Sequence, residues 1–190
     1  MCTRKNFRSV AAIALALAGV GGCSPVEPGN AEPKVTSIVQ QSSSVPSAST
    51  PNAPVSLSVD PCELINVQDL DAYGEFIDVG PRESGGARSC VFQRIARGGN
   101  ESIVVALNVR DSQGVDTVAD VGGGVVETDV NGRAAARSAN PDLGDCTFAM
   151  EIDGKSRIDV SVNGLSSTDE TCPIAEGVSR LLEPRLPEVP

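Results

Sequence analysis

Cysteines are the residues of this sequence whose chemistry can be inferred most directly from their spacing. The chain has six, and four of them, Cys62, Cys90, Cys146 and Cys172, lie within the stretch that has the composition of a folded domain. Zinc sites favour cysteine pairs separated by two to four residues, and redox dithiols usually occur as Cys-x-x-Cys. Neither spacing is present in the sequence. We therefore expect two structural disulfides in an exported domain, with no metal ion and no cofactor.

Other side chains that could do chemistry do not form a recognisable catalytic set. A serine hydrolase without histidine would need a lysine base, and the folded part has only Lys155, in a turn directly after Gly154. An exposed lysine keeps a high pKa and is a poor base. Neighbouring carboxylates are common, but glycosidases hold two of them across a cleft, usually with aromatic walls. The pairs we considered are Asp69/Asp71, Glu127/Asp129 and Asp169/Glu170.

The overall composition excludes several functions. The formal net charge is −10, and histidine and tryptophan are both absent. The first 22 residues hold three of the 15 basic residues and no acidic ones, so the chain from Cys23 onward has 12 basic and 25 acidic residues, a net charge of −13. Such a surface repels nucleic acids and anionic headgroups. The loop Gly122-Gly123-Gly124 lacks the lysine and the strand–loop–helix context of a phosphate site.

The first 22 residues have the organisation of an export signal. Residues 1–9 are basic, and residues 10–20 form an uninterrupted apolar stretch. Eleven helical residues reach roughly 16 Å, about half of the ~30 Å hydrocarbon core of a bilayer. The segment is too short to be a stable membrane span, but it has the length expected of the apolar region of a signal peptide.

Cys23 directly follows this leader in a distinctive context. The segment Val20-Gly21-Gly22-Cys23 resembles the lipobox of bacterial lipoproteins, in which small residues let the extended backbone enter a signal peptidase. The Cys23 thiol would accept a diacylglyceryl group, and with further acylation such as palmitate the protein would stay on the outer face of the cell membrane. The alternative is an ordinary export signal followed by an incidental cysteine. Cys2 would leave with the leader.

Composition divides the rest of the chain into three parts. Residues 23–58 hold Cys23 and a linker rich in Ser and Pro, which cannot bury enough surface to fold. A linker of about 35 residues has a coil end-to-end distance of roughly 30 Å. Residues 59–187 are long enough for one domain with a core, and residues 188–190 form a tail.

The domain is predicted to be an α+β fold, an antiparallel sheet with N- and C-terminal helices packed on one face. A short helix is expected from Asp60-Pro61, with a possible restart at Asn66 and an end by Gly74, and a second helix from about Asp169 to Leu182. Apolar residues that alternate with polar ones, and the hairpin signal Asn131-Gly132, predict strands between the helices. These strands are expected at 88–94, 102–110, 125–130, 133–138, 146–152 and 157–162.

Four cysteines allow three pairings. Cys62 and Cys172 lie in the first turns of the predicted helices, whereas Cys90 and Cys146 begin strands on their core-facing sides. We favour Cys62–Cys90 with Cys146–Cys172, which joins each helix to the strand nearest to it in sequence. Each closed loop of about 27 residues would stabilise the fold by roughly 3–4 kcal/mol. The alternative, Cys62–Cys172 with Cys90–Cys146, would join helix to helix and strand to strand.

An ordered series of short motifs resembles a known family. The motifs are Asp60-Pro61-Cys62-Glu63-Leu64, Ser89-Cys90-Val91-Phe92, Asn131-Gly132-Arg133-Ala134, Asp145-Cys146-Thr147-Phe148, Glu170-Thr171-Cys172-Pro173 and Leu186-Pro187. In this order they resemble the actinobacterial lipoproteins that carry the domain of unknown function 3558. Phe92 stands where the family often has tryptophan, which keeps an aromatic residue in the core. The resemblance implies a surface lipoprotein and supplies no catalytic residues.

The sequence therefore predicts a non-enzymatic surface lipoprotein that binds a partner protein or a small ligand of the bacterial envelope. Its membrane contact would be the lipid on Cys23, and no nucleic acid is expected as a partner. Two other functions stay open at this point. One is an envelope hydrolase that uses carboxylates alone, and the other is an accessory subunit of a transporter or sensor.

Overall fold

A single antiparallel sheet of seven strands forms the centre of the folded domain. The computed structural model describes residues 54–99 and 101–190. Within these residues the strands are β1 (Phe76–Ser84), β2 (Ala87–Arg94), β3 (Val104–Arg110), β4 (Val125–Val130), β5 (Arg133–Asn140), β6 (Asp145–Asp153) and β7 (Ser156–Asn163). A helix, α1 (Thr168–Leu182), follows β7. The predicted α+β class with an antiparallel sheet is confirmed.

The sheet consists of two meanders that meet at its centre. Its strand order is β1-β2-β3-β7-β6-β5-β4, with every neighbouring pair antiparallel. Strands β1 to β3 form one meander and β4 to β7 the other, and β3 pairs with β7 from Val104↔Asn163 to Arg110↔Arg157. The first and fourth strands in sequence are therefore the two edges of the sheet.

One face of the sheet carries the hydrophobic core. Alternate residues of the central strands point to this face, which gives each strand the period of two that the sequence shows. In cross-strand order, Phe92 pairs with Val105 and Val105 with Val162. The members of the sheet core that are at most 1% exposed are Cys90, Phe92, Val105, Leu107, Val109, Val130, Cys146, Met150, Ile152, Ile158, Val160 and Val162.

Helix α1 covers part of this core face. Its N-cap is Ser167, whose side chain accepts a hydrogen bond from the Asp169 amide, and its buried face contacts mainly β6 and β7. Gly177 lets the helix approach the N-terminal segment closely, because a Cβ at this position would overlap the Tyr73 hydroxyl. None of the helices in the described part has the length and apolar character that a membrane crossing requires.

The N-terminal cover differs from the predicted helix. Residues 61–64 form turns, and the helix that follows, Val67–Tyr73, is a 3₁₀-helix. Asn66 is the reason for the break, because it adopts the extended conformation of an N-cap and so cannot continue a helix from Pro61. The predicted restart at Asn66 is confirmed, where Asn66 and Asp69 form a capping box, and the helix ends at Gly74 as expected.

The folded domain begins before residue 59, the boundary predicted from the sequence. Residues Val55–Ser58, which the sequence places in the linker, form a short 3₁₀-helix with Ser56 fully buried. The Arg88 guanidinium donates hydrogen bonds to the carbonyls of Ser56 and Val59, and the Val55 amide donates one to Asp153. The linker prediction for residues 24–53 lies outside the described residues.

The six predicted strands are confirmed, and β1 was missed. The turn at Asn131-Gly132 is confirmed as well, since both residues have the positive φ values, 53° and 90°, that a type I′ turn requires. Strand β1 gave no periodic signal because it is an edge strand that buries little beyond Phe76 and includes Pro81. Its pairing with β2 also shifts register between Asp78 and Gly80.

Both disulfides join a covering segment to the sheet. Cys62 is bonded to Cys90 of β2, and Cys146 of β6 is bonded to Cys172 of α1. This is the pairing favoured from the sequence, so the alternative of helix to helix and strand to strand is wrong. Each disulfide fixes one of the two covers to the strand beneath it.

A loop covers part of the opposite face of the sheet. Residues 111–124 cross this face, and the Arg157 guanidinium donates hydrogen bonds to the Gly114 carbonyl and the Thr117 hydroxyl. Asp159, only 4% exposed, accepts hydrogen bonds from both Arg157 and Arg110, at 2.6 and 2.5 Å. Buried charge is therefore matched within the sheet, which is what burial of an ion requires.

The ion pair between Asp69 and Arg185 gives the first prediction. Arg185 donates to both oxygens of Asp69 at 2.7 and 2.8 Å and also to the Leu64 carbonyl. The hydrogen bonds that Asp69 accepts from Arg185 and from the Asn66 amide lower the pKa of Asp69 to about 2. A depressed carboxyl pKa stabilises the folded state above the unfolded pKa of about 4, and the stabilisation is lost as the pH falls towards 2. We expect Asp69→Asn to cost about 1 kcal/mol at pH 7, since Arg185 is partly exposed.

Urea unfolding of both proteins from pH 7 to pH 2 measures this effect. The difference in unfolding free energy between the wild type and Asp69→Asn should shrink between pH 4 and pH 2. Asp71→Asn is a suitable control, because Asp71 is exposed and makes none of the ion pairs in the described part. A pH-independent difference for Asp69→Asn would show that the ion pair is not its cause.

Candidate functional site

A groove between α1 and the edge strand β4 is the best candidate for a binding site. Its volume is about 460 Å³. Strand residues form one side and the N-terminal half of the helix forms the other. The lining residues are Val126, Thr128, Arg137, Phe148, Thr168, Asp169, Cys172, Pro173 and Glu176. We call this feature the α1–β4 groove.

The register of three strands sets the floor of the α1–β4 groove. Val126 of β4 pairs with Arg137 of β5, and Arg137 pairs with Phe148 of β6. These three side chains therefore form a row on the core-facing side, from 45% exposed Val126 at the edge to 5% exposed Phe148 inside. Cys172, bonded to Cys146, adds sulfur to the apolar floor. The groove offers an apolar base with one cation in the middle.

Arg137 differs from four other buried or half-buried arginines of the domain. Arg88, Arg110, Arg133 and Arg157 each bond to a carboxylate or to backbone carbonyls. Within residues 54–99 and 101–190, Arg137 takes part in none of the ion pairs or side-chain hydrogen bonds. A guanidinium has five donors, so Arg137 can donate hydrogen bonds to an anionic or carbonyl oxygen of a ligand.

The carboxylates of the α1–β4 groove lie on one wall. Asp169 and Glu176 are seven residues apart on α1, so they share a helix face and are separated by a rise of about 10.5 Å. A glycosidase needs carboxyl groups on the two sides of the scissile bond. The opposite wall of this groove supplies Val126 and Thr128 instead. The arrangement suits binding of a chain with polar and charged groups better than hydrolysis.

Two other depressions of the described surface contain partly buried arginines that are already paired. The one of about 510 Å³ lies between the N-terminal segment and the C-terminal residues, and its arginine, Arg185, binds Asp69 and the Leu64 carbonyl. Another, of about 320 Å³, contains Arg88, which binds Asp111 and two carbonyls. Arg185 and Arg88 hold the fold together, and the other arginine of the smaller depression, Arg82, is exposed, so neither depression offers a half-buried free cation to a ligand.

Most of the residues that the sequence analysis considered for chemistry lie outside the α1–β4 groove. Lys155 is exposed in the turn between β6 and β7. Of the three carboxylate pairs, only Asp169 lines the groove, while Asp69 is bound to Arg185. Cys23 lies outside the described residues, so its lipidation stays a prediction. No group of three or more His, Cys, Asp or Glu side chains suited to a metal ion occurs within the described part.

The glycine loop before β4 is closed around a carboxylate of its own chain. The backbone amides of Gly122 and Gly124 both donate to Asp120 at 2.8 Å. These two hydrogen bonds lower the pKa of Asp120. The amides that a phosphate would need are therefore already used, which agrees with the interpretation of this segment as a loop.

Two residues of the Asn131-Gly132-Arg133-Ala134 motif hold the β4–β5 turn against the end of α1. The Asn131 side chain donates to the Arg180 carbonyl at 3.2 Å. Arg133 is 8% exposed and donates to Glu183 and to the carbonyls of Glu151 and Pro187. The motif thus fixes the position of β4 relative to α1, and with it the width of the α1–β4 groove.

Sequence reasoning missed Arg137 as a site residue. A signal was present, because Arg133 and Arg137 fall in the same phase of β5 as buried Ala135. A charged residue at a core-facing position needs either a partner or a groove. Arg133 has partners, and Arg137 lies in the groove.

The fold and its groove define a class of two-disulfide α+β domain with an open strand–helix groove at one sheet edge. The family described as "Protein of unknown function (DUF3558)" matches residues 18–185 of the chain. The chain belongs to this family. Comparison with curated proteins and with solved structures found no match.

The disulfide beneath the α1–β4 groove gives the second prediction. The double variant Cys146→Ala/Cys172→Ala opens a loop with a sequence separation of 26 residues. We expect it to lose about 3–4 kcal/mol of stability, close to the loss for Cys62→Ala/Cys90→Ala, whose separation is 28. Denaturant unfolding measures both losses.

The two double variants should differ in where the fold loosens. Amide hydrogen exchange in the first turns of α1 should rise more when Cys146 and Cys172 are replaced than when Cys62 and Cys90 are replaced. Equal exchange in both variants would contradict the assignment of the Cys146–Cys172 bond as the anchor of this groove wall.

Proposed function

We propose that the protein is a lipid-anchored lipoprotein of the bacterial envelope, and that its domain binds a polypeptide partner or small envelope ligand in the α1–β4 groove without catalysing a reaction. The observation that carries the binding role is half-buried, unengaged Arg137 on an apolar floor of Phe148 and the Cys146–Cys172 disulfide. Such a combination of apolar surface and a few polar groups is what ligand sites share.

The anchor rests on the leader and on Cys23. The basic residues 1–9, the apolar residues 10–20 and the Val20-Gly21-Gly22-Cys23 segment support cleavage before Cys23 and acylation of its thiol. The two disulfides of the domain suit an oxidising compartment outside the cytosol. A linker of the length predicted from the sequence, with a coil end-to-end distance of roughly 30 Å, would let the domain reach neighbouring envelope proteins.

The third prediction tests the anchor with a matched pair of cysteines. Cys23→Ser should abolish acylation and move the protein from the membrane fraction to the soluble exported fraction, because no thiol accepts the lipid. Cys2→Ser should leave both unchanged, since Cys2 lies in the predicted leader. Mass spectrometry of the mature N-terminus and fractionation of intact cells measure the outcome. An intact, unmodified N-terminus on the wild-type protein would refute lipid anchoring.

The fourth prediction tests binding in the α1–β4 groove. A photo-crosslinking amino acid at Thr128, inside the groove, should give discrete crosslinked species on intact cells, whereas the same group at Glu83 on the opposite edge strand should not. Arg137→Ala should reduce the Thr128 crosslinks about tenfold, the effect of losing one charge-assisted hydrogen bond of about 1.4 kcal/mol.

Arg82→Ala provides the control for Arg137→Ala. Arg82 is exposed on β1, far along the strand order from β4, so its loss removes the same charge without touching the groove. Equal crosslinking from Thr128 and Glu83, or equal effects of the two arginine variants, would contradict the proposed binding site.

A further inference from the structure

The two edges of the sheet differ in their ability to accept another strand. Strand β1 carries Pro81 and a register shift between Asp78 and Gly80, two features that prevent regular pairing at an edge. Strand β4 pairs with β5 without interruption from Val125↔Ser138 to Val130↔Arg133 and contains no proline. One edge is therefore closed to strand addition, and the other is regular and open.

The backbone of β4 presents hydrogen-bonding groups to the open side. Val130 and Arg133 flank the two-residue turn and form a hydrogen-bonded pair, and such pairs alternate with non-bonded pairs along an antiparallel ladder. The amides and carbonyls of Val125, Glu127 and Asp129 therefore point away from β5. In the described part of the chain, no strand lies on this side of β4.

Grooves lie on both faces of this edge. The α1–β4 groove lies on the core-facing side, where Val126 and Thr128 project. On the other face, a depression of about 310 Å³ is lined by Val115, Asp116, Val125, Glu127, Thr128 and Ala134, Ala135 and Ala136. Because side chains of a strand alternate between faces, a strand added to β4 would place successive side chains into one groove and then the other.

The charges at the β4 edge indicate which kind of polypeptide segment could pair with it. Glu127 and Asp129 are exposed on one face of β4, and Asp169 borders the groove on the other face. Glu176 also lines the groove but already accepts a hydrogen bond from Arg180 at 2.6 Å, and Arg137 is the cation among the lining residues. A second copy that paired through its own β4 would bring like charges together, which destabilises cross-strand pairs. A basic segment of a different chain would instead be attracted to Glu127, Asp129 and Asp169.

We propose that an extended, basic segment of a partner polypeptide adds to β4 as an eighth strand. This inference rests on the proposed function, since it names the partner class and the binding mode of the α1–β4 groove. Backbone hydrogen bonds to Val125, Glu127 and Asp129 supply affinity. Lysine or arginine side chains that alternate with apolar ones, facing the acidic residues and the apolar floor, supply specificity.

The fifth prediction uses a library of random twelve-residue peptides without cysteine, displayed on phage and selected on the full exported protein. Selected peptides should show Lys or Arg alternating with apolar or β-branched residues. Addition of a selected peptide should slow amide exchange at least tenfold at Val125, Glu127 and Asp129, and change little at Val126 and Thr128. Acidic peptides, no selected peptide, or protection elsewhere would overturn the proposal.

Two variants of Glu127 distinguish the contribution of its backbone amide to peptide binding from the contribution of its side-chain charge. Glu127→Pro removes an outward-pointing amide and should weaken peptide binding at least a hundredfold, because the proline cannot donate to the added strand. Glu127→Gln keeps the amide and should weaken binding only about threefold. Equal effects of the two variants would overturn strand addition.

Peptide chemistry makes the same test without altering the protein. N-methylation of every second amide of a selected peptide should abolish binding in one register and leave it nearly unchanged in the other. Loss in both registers or in neither would contradict strand addition. If Thr128 crosslinks depend on Arg137 but persist in Glu127→Pro, groove binding stands and strand addition fails, whereas the absence of Arg137-dependent crosslinks removes the proposed function itself.

Discussion

The seven-stranded sheet has one apolar face, and a single helix is too narrow to cover it. Six spacings of about 4.8 Å separate the two outer strands, a width of roughly 29 Å, whereas a helix is about 10 Å across. Helix α1 therefore lies on β6 and β7, and the N-terminal segment up to Tyr73 covers the region near β1. Every other feature of the domain follows from the need to hold two partial covers on one sheet.

Each cover is held by a covalent bond and by an arginine. The Cys62–Cys90 bond fixes the N-terminal segment to β2, and Arg185 ties that segment to the end of the chain. The Cys146–Cys172 bond fixes α1 to β6, and Arg133 ties its C-terminal end to the β4–β5 turn. Because α1 contacts mainly β6 and β7, β4 is covered only at its turn end, where Val130 is fully buried, whereas Val126 is 45% exposed. The α1–β4 groove is the space that remains.

Much of this fold could be predicted from local signals. Alternation identified six strands, Asn131-Gly132 identified the β4–β5 hairpin, and proximity in sequence favoured the correct disulfides. Strand β1 was missed because an exposed edge strand is held by backbone hydrogen bonds and needs no apolar period. The 3₁₀-helix Val67–Tyr73 was predicted only as a helical segment, since capping signals do not distinguish it from an α-helix.

The candidate site was less predictable than the fold, for a physical reason. The motifs that mark the family have structural roles, as the contacts of Arg133 with Glu183 and two carbonyls show. Arg137 lies four residues along the same strand. Whether its guanidinium has a partner depends on which strands α1 covers, and that depends on the order of the strands in the sheet. Residues that stabilise the fold can be recognised by their partners, whereas a binding residue is recognised by a missing partner. That distinction, visible only in three dimensions, directs attention to the β4 edge.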